Sequence, residues 1–267
     1  MLTLFTTPKS FRGHTEVIQR NALKSWTLLP GCEVLVIGDE EGAACVSREL
    51  GLRHVSEVPR NEFGMPLIKG LFGVAAAHST KPLLCYANAD MLLMSDLVEA
   101  VERTAAQRER FLLLGQRYDA EVTELLSFDP GWQEALRSRV VRDGGEIGFG
   151  MDYFVFPKGL WGDVPETLAV GRGGWDNWPV YEARLRKAVV VDATQAVMAV
   201  HQRHDYAHHP QGQAGVRAGL EARRNYDTLG VRNVFNVLDA THVLAGGELR
   251  VRCRSCYPMC VCKPASF

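Results

Sequence analysis

Leu83-Leu-Cys-Tyr-Ala-Asn-Ala-Asp90 is a short apolar run that ends in two oxygen-bearing side chains, Asn88 and Asp90, and leads into a second apolar cluster, Met91-Leu-Leu-Met94. Its length and its place after Lys81-Pro82 read as a parallel strand buried on both faces. Residues two apart on a strand point the same way. Asn88 and Asp90 are therefore expected together at the strand's carboxyl end, where open α/β sheets bind ligands. Two such groups suit a divalent cation that holds a diphosphate.

Outward from this run, strand-like and helix-like segments alternate. Strands are expected over 2–6, 33–38, 53–55, 83–87 and 111–115, with amphipathic helices over 15–26, 41–50, 67–78 and 96–107 between them. Such alternation means an α/β protein with a mostly parallel central sheet and helices on both faces. The second half is less regular. It holds a helical piece and a glycine turn between Tyr118 and Gly150, a strand over 151–156, and the loop Gly171-Arg-Gly-Gly-Trp-Asp-Asn-Trp-Pro179 running into a helix. Two further extended pieces follow at 187–192 and 196–200. Without repeats or low-complexity linkers, the chain reads as one domain over 1–210, with a helical and Cys-rich C-terminal extension of irregular structure over 211–267 packed on it.

Composition narrows the partners. The 267 residues are 46% hydrophobic and carry a net charge of −1, which is enough for a sizeable core and gives no field that would recruit nucleic acid or an anionic membrane. The arginines of the last quarter (Arg217, Arg223, Arg224, Arg250 and Arg252 among them) read as a solvated surface with one or two facing phosphate. No apolar stretch reaches the roughly 18 residues of a membrane span, and the opening strand leaves no room for a leader, so a cytoplasmic protein without a transmembrane segment is expected. Cys32, Cys45 and Cys85 sit singly in apolar contexts, as free thiols do. Cys253, Cys256, Cys260 and Cys262 crowd the tail at a spacing that can surround a structural Zn²⁺ and equally fits a reduced tail.

Asn-x-Asp alone reads as readily as a cap for the next turn. Its neighbours favour a site, because the strand over 2–6 runs into Thr7-Pro-Lys9 and the strand over 33–38 into Asp39-Glu40, so that three carboxyl ends line one crevice. With these motifs the sequence resembles the nucleotide-sugar-dependent glycosyltransferases of the GT-A fold. The likeness covers about the first 200 residues as architecture. It rests on Thr6-Thr7-Pro8-Lys9, Asp39, Asn88-Ala-Asp90 in place of the family's Asp-x-Asp, Trp175-Asp-Asn-Trp178 and His201-Gln-Arg-His-Asp-Tyr206.

That resemblance implies a transfer of sugar from a nucleotide-diphosphate donor to a hydroxyl of a carbohydrate or small acceptor, within bacterial glycan assembly. Thr6, Thr7, Lys9, Asp39 and Asn88 would hold the donor, and Asp90 would bind Mn²⁺ or Mg²⁺, with His201, or His204 in its place, completing the ligands. Asn88 departs from the family's first carboxylate. Its amide can still reach a hydroxyl, but only Asp90 then supplies charge.

Asp176, in an aromatic-walled loop, is the candidate base for the acceptor hydroxyl and equally has the look of an N-cap. As a base it implies a single inverting displacement; otherwise a retaining transfer stays open. Trp175 and Trp178 offer flat faces to a sugar. Asp152, beside Gly148 and Gly150, could bond sugar hydroxyls or simply enter a core strand. Two other readings keep the fold. One is nucleotidyl transfer or diphosphate hydrolysis, for which the basic glycine-rich loop is missing near residues 6–13. The other is a non-catalytic nucleotide- or glycan-binding protein.

Overall fold

Uninterrupted apolar runs become the centre of the sheet, because only a strand covered on both faces can be apolar on both. The computed structural model describes residues 1–145, 147–148, 150–205, 211–230 and 233–252; the Cys253, Cys256, Cys260 and Cys262 cluster lies outside the described residues. The first half runs β1 (Leu2–Thr6), α1 (Gly13–Thr27), β2 (Cys32–Ile37), α2 (Ala43–Leu50), β3 (Arg53–Val55), α3 (Ile68–His78), β4 (Leu83–Ala87), β5 (Met91–Leu92), α4 (Ser95–Ala105) and β6 (Phe111–Leu114). The second half adds β7 (Arg117–Ala120), α5 (Trp132–Arg142), β8 (Ile147–Gly148), β9 (Tyr153–Pro157), α6 (Asn177–Leu185), β10 (Val189–Asp192) and β11 (Val200–Gln202). It closes with α7 (Gly212–Ala218), α8 (Leu220–Leu229) and the hairpin of β12 (His242–Ala245) and β13 (Glu248–Val251).

Nine strands form the main sheet in the order β13-β12-β10-β6-β9-β4-β1-β2-β3. The β4-β1-β2-β3 group is parallel, as is β6-β10-β12, and β9 runs antiparallel between the two groups. From β1 the chain winds outward through β2 and β3, then returns to place β4 on the other side of β1. The carboxyl ends of β1 and β4 therefore flank a topological switch point, the place where such sheets hold ligands. The C-terminal hairpin extends the same sheet, with β12 parallel to β10.

Strand alternation sorts the core into two layers. Leu2, Leu4, Cys85, Ala87, Phe111, Leu113, Tyr153 and Val155 face α1 and α4, packing with Leu23, Trp26, Leu97 and Val101. Phe5, Leu84, Tyr86, Leu112, Leu114, Phe154 and Phe156 face α3 and α6. Phe72 of α3 is the hub of that second layer, with ring centroids 5.2 Å from Phe156 and 5.6 Å from Phe5. Trp26 keeps its indole N–H satisfied by donating to the Met91 carbonyl at 2.8 Å. Cys85 is buried and Cys32 partly so. Cys45, expected in an apolar setting, is exposed on α2 and donates to Glu49.

A second, four-stranded sheet has the order β5-β11-β7-β8. It begins at the residue after Asp90, and Leu92, Met94, Val122 and Val200 on its side pack with Leu136 and Val140 of α5. No helix among the described residues is long and apolar enough to cross a membrane.

Phe156 is 1% exposed and meets three aromatic rings. Phe156→Ala is expected to cost about 3–5 kcal/mol in urea unfolding. Leu125→Ala, at a side chain 62% exposed, should stay within about 0.5 kcal/mol of the wild type.

Candidate active site

Asp90 leaves β4 at the switch point and is 8% exposed. Strand pairing delivers its partners. In the small sheet His201 lies opposite Met91 on one side and Asp119 on the other, which brings a residue more than a hundred positions away beside Asp90. Gln202, fully buried, fastens this junction by donating to the carbonyls of Asp90 (3.0 Å) and Ile18 (2.8 Å).

The result is a triad. His204 Nε2 is 3.1 Å from Asp90 Oδ2 and His201 Nε2 is 3.9 Å from it, and the ligand atoms of Asp90, His201 and His204 all lie within 4.8 Å of one another. Each imidazole is held from behind. His201 Nδ1 bonds Asp119 Oδ1 at 2.7 Å, and His204 Nδ1 bonds the Asp205 carbonyl at 2.6 Å. Those oxygens only accept, so Nδ1 carries the proton in each ring and Nε2 is the atom turned to a cation. Asp90 Oδ1 is buried with no hydrogen-bond partner among the described residues, as expected of an oxygen reserved for a ligand.

Electrostatics follow from this crowding. Burial opposes the Asp90 charge, but His201, His204 and Lys9 outweigh it and hold the carboxyl well below the usual range. Burial likewise opposes protonation of His201, whereas Asp90 and Asp119 raise its pKa above the ordinary value; a metal held there would take the place of that proton. Lys9, in the loop fixed by reciprocal bonds between its backbone and the Gln19 amide, has its pKa lowered by burial and by Arg172, partly offset by Asp90. Arg172 is buried and bonds Glu221 at 2.8 Å, and Glu221 also accepts from Asn61.

Thr6 and Thr7 line the same end of β1, each with a buried hydroxyl lacking a protein partner among the described residues. The end of β2 departs from expectation. Asp39 leaves 73% of its side chain exposed and pairs with Arg60, whereas Glu40 turns inward over Gly38 and shares the same guanidinium at 2.8 Å. Gly38, at φ +123°, is where a Cβ would strike both Glu40 Oε2 and Thr7 Oγ1.

Asn88 spends its amide on the protein, accepting from Tyr86 OH (2.9 Å) and donating to Asp152 (2.6 Å). Asp152 in turn pairs with Arg117, which also meets Asp119 at 3.2 Å. The two tryptophans, expected as faces for a sugar, are core residues. Trp175 is 5% exposed, edge-on to Tyr86 and Phe154, and Trp178 is 3% exposed against Trp161 and Phe72.

Asp176 precedes α6 but makes no capping bond, its backbone already helical at φ −72° and ψ −18°. Burial raises its pKa from 3.8 to about 6, and the nearby charge of Asp152 adds to the rise. A cavity of about 560 Å³ opens beside His204 and Asp205, reaching His14, Thr15 and Arg203.

Comparison with solved structures bears on the architecture. The glucosyl-3-phosphoglycerate synthase of M. tuberculosis matches 88% of this chain and 81% of its own, with a TM-score of 0.53 at 15% identity. The fold is that of the GT-A glycosyltransferases. A structure of the M. tuberculosis synthase in complex with phosphoglyceric acid gives a TM-score of 0.52 at 12% identity over 88% and 80% of the two chains. S. aureus TarS 1–349 matches 75% of this chain at 14% identity and a TM-score of 0.49, and the chain spans 60% of that structure. No family model matches the chain, and no curated protein matches it by sequence.

Sequence reading did not pick out Glu40, Arg60, Arg117 or Asp119 as site residues. Arg117-Tyr-Asp119 carried a usable signal: two opposite charges on one face of a short strand directly after an apolar one.

The raised Asp176 carboxyl gives a signed expectation. The native state holds this proton more tightly than the unfolded chain, so the group's contribution to stability falls as pH rises from about 4 to about 6. Asp176→Asn should therefore be more stable than the wild type at pH 8, by about 1–2 kcal/mol after discounting for partial exposure, and should lose that advantage below pH 4. Urea melts across pH 4–8 measure it.

Proposed function

We propose that the protein is a glycosyltransferase that uses a nucleotide-diphosphate sugar and a divalent transition metal, inverting the anomeric centre. The observation that carries this reading is the Asp90, His201 and His204 triad at the switch point, with an unpartnered Asp90 oxygen and a cation, Lys9, close by. Two imidazoles and one carboxylate suit Mn²⁺ better than Mg²⁺, which prefers oxygen ligands. When bound, the ion supplies positive charge at the donor's diphosphate.

The chain's own groups do the rest. Lys9, together with Arg172 held by Glu221, faces the negative charge that grows on the leaving diphosphate. Thr6, Thr7 and the inward Glu40 offer hydroxyl and carboxylate groups to the nucleoside. Asp176 accepts the proton of the acceptor hydroxyl as its oxygen bonds to the anomeric carbon and the bond to the diphosphate oxygen breaks, the electron pair leaving with the diphosphate. A base of pKa near 6 is mostly ionised at neutral pH yet more basic than an ordinary carboxylate. The cavity beside His204 is of the size that takes a sugar.

Thermal melts with UDP, GDP, CMP and dTDP, each with Mn²⁺ or chelator, test the pocket. One nucleotide at a hundred times its Kd should add about 2.7 kcal/mol, a rise of about 5–10 °C for a chain of this size, and Asp90→Ala should abolish it. Stabilisation by none of them would remove the transferase reading.

A further inference from the structure

An amide stands where the resembling family carries a carboxylate, and its surroundings supply a reason. Asn88 is bonded three ways at the mouth of the crevice. Its Oδ1 accepts from Tyr86 OH, its Nδ2 donates to Asp152 Oδ1 at 2.6 Å, and its backbone N–H donates to the Asp152 carbonyl at 2.9 Å. The amide's orientation is fixed by chemistry, since a carboxylate only accepts and Nδ2 must be the atom that faces it. The second oxygen of Asp152 pairs with Arg117 Nη1, and the Arg117 Nε lies 3.2 Å from Asp119 Oδ1, the oxygen that also holds His201.

We propose that Asn88 and Asp152 are a reciprocal pair sharing one carboxylate between the end of β4 and the start of β9, and that this charge, through Arg117 and Asp119, positions His201 at the cation seat. The inference rests on the cation reading of the triad given above. Position 88 is then a positioning residue and touches neither nucleotide nor metal. A carboxylate at 88 would stand 2.6 Å from an Asp152 oxygen, and two like charges at that distance compete for the single guanidinium that now serves Asp152 and Asp119. Moving the charge from one strand to the other keeps the pair intact, because an amide at 152 can donate to position 88 and accept from Arg117.

The test is a double-mutant cycle on the full chain: Asn88→Asp, Asp152→Asn, and both together. Melting temperature is read without metal, and Mn²⁺ affinity by electron paramagnetic resonance of the free ion, with no donor or acceptor present. Each single change is expected to lower the melting temperature and to weaken Mn²⁺ binding about tenfold, the scale on which second-layer partners act. The double change should recover most of both, a coupling that independent sites do not show.

Losses that simply add would overturn the proposal. So would an Asn88→Asp variant that melts unchanged and binds Mn²⁺ more tightly, which would make position 88 a direct ligand. Should Asn88→Asp not fold, recovery of folded protein by the second substitution supports the pair, and failure to recover it counts against it. A wild type that binds no Mn²⁺ would instead defeat the cation reading, and the melting temperatures would still decide whether the two positions are coupled.

Discussion

A carboxylate taken out of water is the constraint around which this end of the molecule is organised. Asp90 is held at 8% exposure, and an unpaired ion so placed costs several kcal/mol. Lys9 answers that cost from the loop after β1, and His201 and His204 answer it from β11 and the residues that follow it. Neither histidine could reach Asp90 without a framework, and the second sheet is that framework: β5 starts one residue after Asp90, β11 pairs with it, and β7 brings Asp119 behind His201. The GT-A sheet supplies the switch point, and the small sheet supplies the company.

Much of this was legible in the sequence. The strands β1 and β4 lie where their apolar runs placed them, because a buried parallel strand has a strong and local signature. Asp90 and His201 do come together, since strand ends are predictable positions even when the pairing is not. What stayed hidden depends on long-range geometry. Met91-Leu92 and Val200-His-Gln202 are too short to announce a sheet, and they become strands only through partners remote in sequence, β11 lying between β5 and β7. The aromatic pair Trp175 and Trp178 was misleading for a related reason. A tryptophan next to a polar loop has the same sequence signature whether its ring faces ligand or core, and here Tyr86, Phe154, Trp161 and Phe72 were waiting for it.

Asp39 and Glu40 illustrate a finer limit. Both follow β2 and both carry the right chemistry, so sequence offers little to choose between them. The left-handed turn at Gly38 decides it, sending Asp39 outward and Glu40 back over the strand end, with Arg60 bridging the two. A single backbone dihedral therefore determines which carboxylate faces the crevice.

The antiparallel strand β9 ties the crevice to pairings remote in sequence. It joins two parallel groups that do not otherwise touch within the sheet, and its partner β4 lies some seventy residues earlier in the chain. β1 and β4 are joined across a span at least as long, Leu2 pairing with Leu83, so both seams beside the switch point cost loop-closure entropy before any contact repays it. Asp152 sits at the leading end of β9, so the links from Asn88 to Arg117 can close only once that strand is seated. The crevice therefore rests on several pairings remote in sequence at once, and the bond that aligns the imidazole of His201 needs β7 and β11 seated as well.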